Sequence, residues 1–102
     1  MTKPNIVQIS GKWYVSGDLL VDDANLILSQ SVAFIMEREV EIDFSRVSNV
    51  DTAALSLIFE WQRRANLSNC KLSLTKLPVN LTSLAKLYGV QDFYTFNSRK
   101  LN

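Results

Sequence analysis

Histidine is absent from this 102-residue chain and cysteine occurs once. Without imidazole, the side chain most often used as a general base and metal ligand is missing. With Cys70 as the single thiol, neither an internal disulfide nor a cysteine-based metal site can form, and a small core residue is the expectation there. Glycine is scarce at three residues and proline at two, and the chain has neither a Gly-rich phosphate loop nor a low-complexity linker. No apolar run reaches membrane-spanning length, and Met1-Thr2-Lys3-Pro4-Asn5 lacks the basic-then-apolar layout of a signal peptide. A cytoplasmic location without direct membrane insertion is therefore expected. The sequons Asn66-Leu67-Ser68 and Asn80-Leu81-Thr82 count only on a secreted chain and are read as chance. Charge of one sign is missing too. Eleven basic residues stand against ten acidic ones, a net of +1, scattered without a basic run, which disfavours nucleic acid as a partner.

What is present is the composition of a folded protein. Hydrophobic residues make up 47% and charged residues 21%, at a length suited to one domain spanning 1–102. Ile6-Val7-Gln8-Ile9 and Trp13-Tyr14-Val15-Ser16 are rich in strand formers and flank Ser10-Gly11-Lys12, which predicts a tight hairpin. Gly17-Asp18 is read as breaking the second strand. Asp22-Asp23 is a candidate cap for a helix with Ala24, Leu28, Val32, Ile35 and Met36 on one face. Val40, Ile42 and Phe44 alternate with Glu41 and Asp43 in a third strand expected to end at Ser45-Arg46, followed by a loop through Val50-Asp51. From Thr52 to about Leu67 the helical period gathers Ala54, Leu55, Ile58, Trp61 and Ala65 on one side. Lys71 to Thr75 reads as a fourth strand left at Pro78. Leu81, Leu84, Ala85 and Tyr88 mark a last helix stopped by Gly89, and Phe93 to Phe96 adds a candidate edge strand. The fold class is α/β: a mixed four- to five-stranded sheet with helices packed on it.

Chemistry concentrates where the third strand gives way to the second long helix. Asp51 or Thr52 can accept hydrogen bonds from the unpartnered N–H groups of the first helical turn, which is the capping reading. The same helix end favours negative charge, so a phosphate on Thr52 would be tolerated there, which is the regulatory reading. Thr52, Ser56, Phe59 and Arg63 fall at i, i+4, i+7 and i+11, away from the apolar stripe. Phe59 sits at the boundary and reads equally as a partly buried flanking residue or an exposed anchor. Asp43 and Asp51 are two carboxylates with no sign of a shared site, and no hydroxyl has an evident neighbouring base, so no catalytic residue, metal site or cofactor is assigned.

Asp43-Phe44-Ser45 followed by Val50-Asp51-Thr52-Ala53-Ala54-Leu55 resembles the strand, loop and helix signature of STAS domains, the class that includes anti-anti-sigma factors. Leu84-Ala85-Lys86-Leu87-Tyr88-Gly89-Val90 is similar to the C-terminal segment of the MlaB subfamily. The resemblance implies a STAS-like, anti-anti-sigma-factor-like fold and a non-enzymatic accessory subunit. Its partner would be the cytoplasmic ATPase, MlaF-like, of a Mla-type phospholipid-transport ABC complex that maintains outer-membrane lipid asymmetry in Gram-negative bacteria. Such a subunit would sit peripherally at the cytoplasmic face of the inner membrane through its permease-bound partner. The resemblance makes Thr52 the central contact, beside Asp51, with Ser56, Phe59 and Arg63 along the same helix. One departure is Ala54, where many relatives carry glycine; an extra methyl group is tolerated in a helix and tightens packing on the sheet. The alternative is an anti-anti-sigma-factor-like regulator switched by phosphorylation of Thr52. With Trp13, Trp61, Phe59, Phe93 and Phe96 to place in a small body, self-association of the isolated chain is a further expectation.

Overall fold

Asn5–Ile9 (β1) and Lys12–Leu19 (β2) form the expected hairpin in the computed structural model, which describes residues 3–87. Ser10 (φ 50°) and Gly11 (φ 79°) make the two-residue turn, both with positive φ as a type I′ turn demands. Ile9 opposes Lys12 and Asn5 opposes Ser16. The second strand is not broken at Gly17-Asp18 but runs on to Leu19. Gly17 has φ +85°, and a Cβ there would collide with the Lys3 carbonyl. Glycine at this point lets the entering chain cross against β2 without ending the strand.

The helices Val21–Ser31 (α1), Thr52–Leu67 (α2) and Val79–Leu87 (α3) alternate with the strands Glu39–Val50 (β3) and Lys71–Thr75 (β4). The sheet order is β1-β2-β3-β4, antiparallel between the first two strands and parallel across the other two pairs. Parallel neighbours need a crossover, and α1 and α2 supply it. Tyr88, Gly89 and the candidate edge strand at Phe93 to Phe96 lie outside the described residues.

Two boundaries differ from the sequence reading. β3 does not end at Ser45-Arg46 but continues to Val50, so no loop precedes α2. The register moves from Tyr14↔Asp43 to Ser16↔Arg46, and from Gly17↔Val47 to Leu19↔Val50, one extra residue on β3 each time. Such bulges break the two-residue alternation by which a strand is read. The other difference is α1. It stops at Ser31 and buries Ala24, Ile27 and Ser31, with Leu20 as its N-cap and Asp22 and Asp23 inside its first turn. Val32 and Ile35 are 66% and 63% exposed, while Met36 is buried beyond the helix.

An aromatic wedge fills the space between sheet and helices. The Trp13 ring meets Phe34 at 5.2 Å and Trp61 at 5.8 Å, both edge-on, the arrangement ring quadrupoles favour. Trp61 Nε1 donates to Ser31 Oγ (2.9 Å), and Ser31 Oγ donates to the Leu28 carbonyl (2.8 Å). Arg64 of α2 donates to the carbonyls of Ser31 and Phe34, each at 3.1 Å. It thereby serves the C-terminal end of α1, which has no basic residue in its own last turn. Trp13 and Trp61 are thus core residues. Replacing Ser31 with Ala strands the buried Trp61 N–H and is expected to cost about 1–3 kcal/mol of stability, read from the urea unfolding midpoint.

Candidate docking surface

β2 and β3 are parallel, so α1 and α2 both start at the same end of the sheet. Asp51 stands between them. Its Oδ1 accepts from the Ala53 N–H (2.8 Å), the N-cap bond of α2, and its Oδ2 accepts from the Val21 N–H (3.0 Å), the first residue of α1. α1 has no side-chain cap of its own, so one carboxylate serves unpartnered N–H groups on two helices. At the same end Asn49 Nδ2 donates to buried Asp18 Oδ1 (3.0 Å), tying β3 to β2.

Capping therefore falls to Asp51, and Thr52 at the first helical position is exposed. The first turn of α2 itself carries no acidic residue, and the negative charge at this helix end is the Asp51 carboxylate at the N-cap. Thr52, Ser56, Phe59 and Arg63 form one exposed strip, while Ala54, Leu55, Leu57, Ile58, Trp61 and Ala65 are buried beneath it. Phe59 is 40% exposed. Arg63 is held by Glu60, Nη2 to Oε2 at 2.9 Å, and this hydrogen bond lowers the Glu60 pKa. The i, i+3 spacing of the pair is visible in the sequence and was the signal available for it. Beside the strip a groove of about 240 Å³ separates the helices, with Val21 and Asn25 on one wall and Ser56 and Glu60 on the other. Leu84, from the C-terminal motif, is half-buried in a second groove with Val50, Val79 and Leu87, and its neighbour Ala85 is core.

Asp43 and Asp51 have separate partners. Asp43 is buried on β3, where Oδ1 accepts from the Ser45 N–H (2.8 Å) and hydroxyl (2.6 Å) beside the first bulge. Lys76 and Lys12 approach Oδ2 at 3.8 and 3.9 Å. Burial pushes the Asp43 pKa up, but the Ser45 hydrogen bonds and the two lysines outweigh it and leave the pKa below its ordinary value. Burial pushes the Cys70 thiol up, with Glu39 adding to the shift, so it stays protonated. Among the described residues no three His, Cys, Asp or Glu side chains are grouped to hold a metal, and no helix is long and apolar enough to cross a membrane.

The family described as "Mlab, STAS domain" matches residues 7–96. The chain belongs to the STAS domain family. Among solved structures, the anti-sigma factor antagonist SpoIIAA in its unphosphorylated form is similar with a TM-score of 0.58 and 13% identity, over 84% of this chain and 81% of that one. Mglu is similar with a TM-score of 0.57 and 17% identity over 74% of this chain, which spans only 20% of Mglu. At these identities the likeness is one of fold. No curated protein matches the sequence. The mixed sheet and helices of this STAS domain are those expected of the family, and the signature segment occupies the end of the sheet where α1 and α2 begin.

Asp51→Ala should remove a cap from both helices and destabilise the domain by about 1–3 kcal/mol in urea unfolding. Asp43 has a lowered pKa in the folded state, so its contribution is complete above the unfolded value near 3.8 and fades as pH falls through the lower folded value. The stability gap between the wild type and Asp43→Asn is expected to be steady from neutrality to about pH 5 and to shrink below about pH 4, checked by urea titrations across that range.

Proposed function

We propose that this STAS domain is a non-catalytic accessory subunit that binds and supports the cytoplasmic ATPase of a Mla-type phospholipid-transport ABC complex. The observation that carries the reading is the open first turn of α2. Thr52 is exposed there, with Ser56, Phe59 and Arg63 on the same side of a helix whose other side is locked into the core. A hydroxyl, an aromatic ring and a guanidinium on a rigid element suit a protein interface. The family description, which names Mlab, supports the choice of partner. Binding to the competent form of the ATPase would stabilise it by mass action, so the effect on lipid movement and on outer-membrane asymmetry is indirect. The domain would then lie at the cytoplasmic face of the inner membrane through its partner.

Thr52→Glu is expected to abolish capture of the MlaF-like ATPase while leaving the circular dichroism melt unchanged; retained affinity would overturn the proposal. Phe59→Ala should weaken ATPase binding by about 1–3 kcal/mol in calorimetry if the ring anchors the contact. Intact mass after incubation with a cognate kinase separates this subunit from a regulator switched by phosphorylation of Thr52. No added phosphate is expected.

A further inference from the structure

The two edges of the sheet are unlike. β4 carries Lys71 and is followed by Lys76, charges that discourage another strand from pairing. β1, Asn5-Ile6-Val7-Gln8-Ile9, has no charge, no proline and no bulge, and among the described residues no strand covers its outer edge. In a two-residue hairpin the residues flanking the turn exchange both backbone hydrogen bonds, and this alternates outward. Asn5, Val7 and Ile9 thus direct their backbone groups at β2, and Ile6 and Gln8 direct theirs away from it. The side chains of Val7 and Ile9 lie on the sheet face opposite the core and are 41% and 60% exposed.

We propose that β1 pairs antiparallel with β1 of a second copy about a two-fold axis through Val7, joining two four-stranded sheets into one. This register satisfies every outward group. Ile6 exchanges N–H···O bonds with Gln8 of the second copy, and Gln8 with the second copy's Ile6. Val7 then faces Val7 of the second copy in a close non-hydrogen-bonded pair, and Ile9 opposes the second copy's Asn5. No like charges meet across the axis, because the strand has none. Pro4, without an N–H, ends the ladder on each side. The occupant is a second copy because the strand is complementary to itself at one register. The contact uses β1 alone and is independent of the ATPase reading, which uses α2.

The interface is a short ladder, so a weak dimer with a dissociation constant between about 1 µM and 1 mM is expected from sedimentation of the full chain over a concentration series. Val7→Lys places two ammonium groups at the axis and should weaken the dimer at least about tenfold, with an unchanged melt. Val7→Glu should do the same. Equimolar Val7→Lys and Val7→Glu should form a heterodimer tighter than either variant with itself. Thr52→Glu should leave self-association unchanged. The proposal is overturned by a wild type that stays monomeric to about 1 mM, by a Val7→Lys dimer as tight as the wild type, by a mixture that shows no rescue, or by loss of the dimer in Thr52→Glu.

Discussion

A helix start leaves backbone N–H groups without partners, and in this domain the starts of α1 and α2 are brought side by side at one end of the sheet by the parallel strands β2 and β3. The carboxylate of Asp51 answers both, one oxygen for Ala53 and the other for Val21. The position of α1 against α2 depends on that bridge at one end and on Arg64 reaching the carbonyls of Ser31 and Phe34 at the other. Between these two links lies the aromatic wedge of Trp13, Phe34 and Trp61. Asp51 does the capping, Thr52 is exposed at the first helical position, and the groove lies between the two helices so linked.

The sheet has two chemically different faces. One carries Val15, Ile42, Phe44, Leu72 and Leu74 under the helices, and their burial against the apolar faces of the helices contributes to the driving force for folding. The other carries a polar ladder in which Lys12 pairs with Glu41 at 3.1 Å and the Thr75 hydroxyl donates to Glu41 at 3.0 Å. Asp43 belongs to this second face yet is buried, because Ser45 folds back on it and two lysines lie near it. Apart from Val7 and Ile9 on β1, the polar side chains of this outer face keep the sheet one-sided, as antiparallel-edged sheets commonly are.

The STAS scaffold thereby presents two surfaces that do not overlap, the solvent face of α2 and the outer edge of β1, which no strand covers among the described residues. A helix face recognises by side chains on a rigid support, and a strand edge recognises by backbone hydrogen bonds with little demand on sequence. The proposed ATPase contact would use the first mode and the proposed pairing of two copies the second.

Local periodicity was enough to place the hairpin, the span of α2 with its buried stripe, β4 and the buried side of α3, because each depends on residues within a few positions of one another. It also put Thr52, Ser56, Phe59 and Arg63 on one side of a helix, where the structure places them. It failed where contacts distant in sequence decide: Gly17 continues a strand because Lys3 crosses it, β3 outlasts its alternation because it bulges against β2, and α1 ends at Ser31 because Trp61 and Arg64 meet it there. The double role of Asp51 belongs to the same group. Val21 lies thirty positions before Asp51, and only the packing of two crossover units brings the pair within a hydrogen bond of each other.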